Sequence, residues 1–135
     1  MDDLTAFIAA RLSEDEAMAK AAARKRRGPW RVVGDAFRAV IHGSRATLSV
    51  ADTPGMAIAE HIARHDPARV LREVAARRRT MARHERKPDK QQPWCGWCTD
   101  DRHFEAWPCD DIRDLAATWS DHPDYRPEWA PGDAS

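Results

Sequence analysis

All three cysteines of this 135-residue chain fall in one short stretch, Trp94-Cys95-Gly96-Trp97-Cys98 through Trp107-Pro108-Cys109. A CxxC pair, a nearby histidine and a third cysteine close behind match the ligand grammar of a small structural zinc site. Such a site restricts the fold more than any other part of the sequence, because four side chains must converge on one point. A CxxC turn presents two thiolates to one ion, and Gly96 eases that turn. Cys109 stands in a Trp-Pro-Cys leading into a helix, whose N-terminus favours a thiolate.

Three cysteines supply three ligands, so a fourth must come from elsewhere. His103 gives the spacing C-x2-C-x4-H-x5-C, one residue longer in the loop than a CCHC zinc knuckle. His84 gives H-x10-C-x2-C-x10-C and would tie the preceding helix to the metal. Local spacing favours His103. The gain from crosslinking distant segments favours His84. Either set is closed, which points to a structural ion rather than a catalytic one with an open position. Redox use of the CxxC is disfavoured because no βαβ pattern surrounds it.

Around this cluster the sequence reads as one α+β domain over residues 1–135, with 84–109 a zinc-binding segment and 120–135 an extended tail. Leu4, Phe7, Ile8 and Leu12 predict a long amphipathic helix from about Asp2 to Arg26, with Met18 and Ala22 continuing the stripe. Gly28-Pro29 stops it. The runs Trp30–Val33, Phe37–Ile41 and Thr47–Val50, separated by Gly34-Asp35 and Gly43-Ser44, predict a three-stranded antiparallel meander. Trp30 is expected to anchor that sheet to a helix. Thr53-Pro54 opens a helix that stops before His65-Asp66-Pro67. Asp66 then caps a second helix running to about His84. Asp110 or Asp111 caps a short last helix through Ile112, Leu115, Ala116 and Trp119.

The formal net charge of zero conceals a pattern: −4 over residues 1–19, +11 over 20–92 and −7 over 93–135. Neutralisation of the basic middle by the acidic ends within the fold is the simpler consequence. A second is nucleic-acid contact through Arg77, Arg78, Arg79, Arg83, Arg86 and Lys87, with Trp94 or Trp97 as a stacking surface. The basic run Arg24-Lys25-Arg26-Arg27 is read as a helix end. No apolar run is long enough to cross a membrane, the acidic N-terminal stretch does not read as a targeting peptide, and an odd number of cysteines suits a reducing cytoplasm.

Catalytic patterns are lacking. His61 and His65 stand four apart, but Ile62 occupies the position where HExxH places its glutamate. No Ser-His-Asp order, phosphate loop or dinucleotide fingerprint is present. His122 is expected to pin the tail by hydrogen bonds. The expected molecule is thus a non-enzymatic zinc-binding protein acting by contact with another protein, with nucleic-acid binding as the alternative.

The stretches DDLTAFIAARLSEDE, HIARHDP, WPC and DHPDYRPEW carry a resemblance over nearly the whole length. The chain resembles small actinobacterial and actinophage proteins classed as a domain of unknown function. The resemblance implies a bacterial or phage intracellular protein and supplies no activity. It also implies His84 as a ligand, because in that family a histidine often closes the long helix before the CxxC. The basic run ARKRRG and the additional His103 depart from the pattern.

Overall fold

The first helix, α1, spans Asp3–Lys25, and Asp2 starts it by accepting the Thr5 amide at 3.0 Å. Its buried stripe is Leu4, Phe7, Ile8, Leu12 and then Ala19. Met18, expected to continue that stripe, is 69% exposed. The reason is helical phase: Ala19 lies seven residues after Leu12, almost two whole turns, whereas Met18 falls about 120° away.

The computed structural model describes residues 1–35, 39–44 and 49–132. The fold is α+β, and the chain divides into two compact units. One comprises Ser13–Val74, and the other combines Met1–Leu12 with Ala75–Ser135.

In the Ser13–Val74 unit, β1 (Arg31–Gly34), β2 (Ala39–His42) and β3 (Ser49–Thr53) form an antiparallel sheet in the order β1-β2-β3. This is the expected meander. Phe37 and Thr47, named in its predicted strands, lie outside the described residues. Val32 faces Ile41 across β1 and β2, and Ile41 faces Ala51 across β2 and β3. Ile41 and Ala59 are fully buried, with Trp30, Val32, Val50, Met56 and Ile62 packed around them. Trp30 therefore anchors the sheet-to-helix contact, and its indole N–H donates to the Arg26 carbonyl at 2.9 Å. Gly43 is required where the chain passes α1, because a Cβ there would fall 2.8 Å from the Arg27 carbonyl oxygen.

The helix expected to open at Thr53-Pro54 starts later. β3 runs through Thr53, and α2 covers Met56–Arg64 after Gly55 at φ 139°. That left-handed conformation favours glycine, and the Thr53 hydroxyl donates to the Gly55 carbonyl at 2.9 Å. The junction to α3 (Pro67–Arg83) follows the sequence closely. Asp66 accepts the Arg69 amide at 2.9 Å with one oxygen and the Trp30 amide at 3.2 Å with the other. It therefore joins a helix cap to the start of the sheet. Asp66→Ala removes the cap and leaves the Trp30 amide unpaired, and is expected to cost about 2–3 kcal/mol in chemical denaturation. A cost below about 0.5 kcal/mol would contradict this role.

In the other unit, α4 covers Asp110–Ala117 and buries Ile112 and Ala116. Of the tail predicted as extended, residues 120–130 are instead folded into turns. Turns carry the chain from Trp119 to Tyr125, with the His122 amide donating to Trp119 and the Tyr125 amide to His122, both at 2.9 Å. A 3-10 turn at Pro127–Trp129 then buries Trp129. The cause is aromatic: Trp129 packs 5.1 Å from Phe7, with Tyr125 6.0 Å from the same ring. Arg11 of α1 hydrogen-bonds His122 Nδ1 at 2.9 Å, so His122 does pin this segment. Arg126 pairs with Asp3 at 2.8 Å. Among the described residues, no helix is long and apolar enough to cross a membrane.

Candidate metal centre

Four segments deliver four donors. His84 follows α3 directly, and its amide still bonds the Thr80 carbonyl at 3.1 Å, so the ring is held on a last helical turn. Cys95 belongs to β5 (Trp94–Cys95), which pairs antiparallel with β4 (Arg86–Lys87). This small hairpin was not legible in the sequence, because Pro88 and Pro93 obscure its two-residue strands. On its other side β5 meets the 105–107 run: Cys95 N–H donates to Glu105 at 3.0 Å, and Trp107 N–H donates to Pro93 at 2.9 Å. Cys98 sits in the turn closed by the Thr99 amide on the Cys95 carbonyl at 3.1 Å. The Gly96 amide donates to the Glu85 carbonyl at 2.9 Å, which ties the CxxC turn to the end of α3. Cys109 itself is the N-cap of α4, its carbonyl receiving the Ile112 and Arg113 amides. The expected caps, Asp110 and Asp111, fall just inside it, in the first turn, where carboxylates complement the helix dipole.

The result is a tight cluster. His84 Nδ1 lies 3.5 Å from Cys95 Sγ, 3.5 Å from Cys98 Sγ and 3.4 Å from Cys109 Sγ. All four donor atoms lie within 4.8 Å of one another. An ion bound tetrahedrally at ~2.3 Å from sulfur and ~2.0 Å from nitrogen sets each N···S separation near ~3.5 Å. The residues therefore fit a four-coordinate ion, and the group could hold a metal. All three cysteines are free thiols. Cys95 and Cys109 are buried, Cys98 is half-buried and His84 is 4% exposed.

Electrostatics points the same way. Burial, followed by the hydrogen bond to Cys95, pushes the Cys98 thiol up to about 11. Burial pushes Cys109 up to about 12, with the Ile112 amide pulling the other way and the neighbouring cysteines adding to the rise. Cys98 and Cys109 thus favour the protonated form in the absence of a cation, and a bound cation inverts that preference. On the far side of the ring, Asp111 Oδ2 stands 3.5 Å from His84 Nε2. A carboxylate there favours the tautomer that leaves Nδ1 free to ligate. Nothing in the sequence links Asp111 to His84, because only the cap at Cys109 turns it toward the ring.

The other sequence-predicted residues lie elsewhere. His103 is not brought to the sulfurs. It bonds Glu105 at 3.0 Å and lies exposed in a turn where Asp100 accepts the amides of Arg102 and His103, each at 2.8 Å. Those two amides hold the Asp100 carboxyl below its usual value. Of the basic set, Arg78, Arg79, Arg83 and Arg86 are exposed. Arg77 is half-buried instead, with its guanidinium 5.6 Å from the Trp119 ring centre. Lys87 pairs with Glu85 at 2.6 Å. Trp94 is half-buried in β5, whereas Trp97 is 63% exposed. His61 lies in the last turn of α2 and His65 is its C-cap, with His65 Nδ1 donating to the His61 carbonyl at 2.8 Å.

Beside the cysteine-bearing loop lies an open cavity of about 570 Å³. Pro93, Trp107, Pro108 and Trp129 line it with Arg86 and Arg113. Three of these wall residues, Pro93, Trp107 and Pro108, are within two positions of a cysteine ligand.

No curated protein and no solved structure matches the chain. A family model does, over residues 1–131. With the site and fold in view, the chain belongs to the family of unknown function DUF6221.

Proposed function

We propose that this chain is a non-enzymatic zinc protein whose ion is structural and whose role is contact with another protein as an interaction or regulatory factor. The observation that carries the reading is His84 Nδ1 at 3.4–3.5 Å from all three cysteine sulfurs. Three soft thiolates with one imidazole select zinc among the common divalent ions, and a filled set leaves no position for substrate. Free thiols in this number fit a reducing cytoplasm. The Pro- and Trp-lined cavity supports protein contact, because the loop that carries the ligands also supplies its walls.

Elemental analysis of reduced, folded protein purified without added metal is expected to give one zinc per chain. His84→Ala should lose most of that zinc, and His103→Ala should keep it. Equal retention in both variants would remove His84 from the site. Nucleic-acid binding is the second reading, favoured by exposed Arg79, Arg83, Arg86 and Trp97. It predicts salt-dependent retention on single- or double-stranded nucleic acid, and lack of retention at low salt would remove it.

A further inference from the structure

A second pair of metal-ligating side chains lies outside the cysteine site, on α2. His61 and His65 are four residues apart, so they are neighbours on one face of the helix. Both are exposed to solvent. Their ring centres stand 4.6 Å apart at an interplanar angle of 43°. His65 Nδ1 is engaged with the His61 carbonyl at 2.8 Å. As the donor in that bond, Nδ1 carries the proton, and Nε2 keeps its lone pair for a ligand, the arrangement usual for metal-binding histidines.

The ring separation discriminates between coordination geometries. With the donor nitrogen ~1.2 Å from the ring centre and the ion ~2.0 Å beyond it, each centre is ~3.2 Å from the ion. Two rings meeting at a right angle then have centres ~4.5 Å apart, whereas the tetrahedral angle requires ~5.2 Å. With both donor nitrogens turned to one ion, the observed 4.6 Å would suit the right angle. Tetragonal and octahedral ions prefer that angle, and tetrahedral zinc does not.

The surroundings favour a cation. His61 lies in the last turn of α2 and His65 caps it, where the helix dipole is negative. Asp15 lines the same 250 Å³ cavity as His65, whose other walls, such as Met18 and Trp30, are apolar. Arg64 opposes a cation, and it is exposed and therefore screened.

We propose that His61 and His65 form a two-histidine surface site for a divalent ion of the nickel or copper class, with water completing the coordination. This site is chemically distinct from the thiolate cluster and does not depend on zinc being held there. Nickel is the appropriate probe, because copper would oxidise thiols. Calorimetric titration of the zinc-loaded full chain with Ni²⁺ is expected to show one equivalent bound, with zinc content unchanged. His61→Ala and His65→Ala should each weaken that uptake more than ~10-fold, since chelation by the second ring is intramolecular. His103→Ala should leave it unchanged. Absence of Ni²⁺ uptake, or uptake indifferent to His61→Ala, overturns the proposal, and so does uptake accompanied by zinc release. Both histidines are exposed, so the variants are expected to keep the parent melting curve, which separates loss of a ligand from loss of the fold.

Discussion

Complete removal of the proposed zinc by a strong chelator is expected to abolish the tertiary structure of residues 84–117, seen as loss of near-ultraviolet circular dichroism from Trp94, Trp97 and Trp107. Regular secondary structure gives this segment little independent stability. Its hairpin has two residues in each strand, and α4 has eight residues, below the length at which isolated helices persist. Structural zinc contributes roughly 10–16 kcal/mol in small zinc-folded peptides at neutral pH, which exceeds most of the net stability of an ordinary domain, ~5–15 kcal/mol. Readdition of zinc should restore the signal. An unchanged spectrum and melting curve in protein shown to be metal-free would refute the structural role.

The direction of the pH effect follows from the thiols. Cys98 and Cys109, raised to about 11 and about 12 without an ion, are protonated at neutral pH, so zinc uptake must displace their protons. Affinity therefore falls as pH falls, and uptake in a weak buffer releases protons.

Replacing Trp129 by alanine is expected to lower stability by about 3–5 kcal/mol, the usual cost of emptying a buried aromatic position. Trp129 is 8% exposed and lies 5.1 Å from Phe7 and 5.9 Å from Tyr125. Its loss also strips the Arg126 guanidinium of the ring it covers at 5.1 Å, leaving the Arg126–Asp3 pair without support. Trp129→Phe should recover part of the loss. Phe104→Ser is the control: at 56% exposure it should change stability by less than ~0.5 kcal/mol. Equal effects from Trp129→Ala and Phe104→Ser in urea would show that the tail does not anchor on α1.

These contrasts mark what periodicity and spacing can reveal. The α+β class, the long first helix and the meander were readable because each rests on local pattern. The Asp66-Pro67 junction was readable because its cap and its proline are adjacent. Proximity of the CxxC and Cys109 followed from spacing as well. Choosing between His84 and His103 did not, because both spacings can reach an ion. The choice depends on hydrogen bonds such as Gly96 to Glu85 that carry the turn to the end of α3. The folded tail was missed for a related reason. Prolines at positions 123 and 127 suggested extended chain, while the partner that bends it, Phe7, lies more than a hundred residues earlier. Met18 shows the limit of a simple stripe, since one residue of helical phase separates a buried position from an exposed one.

The unit that contains the metal centre is built from both ends of the sequence, Met1–Leu12 and everything after Val74, with the other unit inserted between them. On the ribosome this ordering means that the helix face carrying Phe7 emerges long before its partners Tyr125 and Trp129. At translation rates of ~5–20 residues per second, that face waits several seconds for its partners. The inserted unit, continuous in sequence, can close while the first twelve residues are still unpaired. Synthesis therefore delivers the four candidate metal donors and Trp129 after the inserted unit, and a chain interrupted before residue 129 leaves Phe7 without that partner.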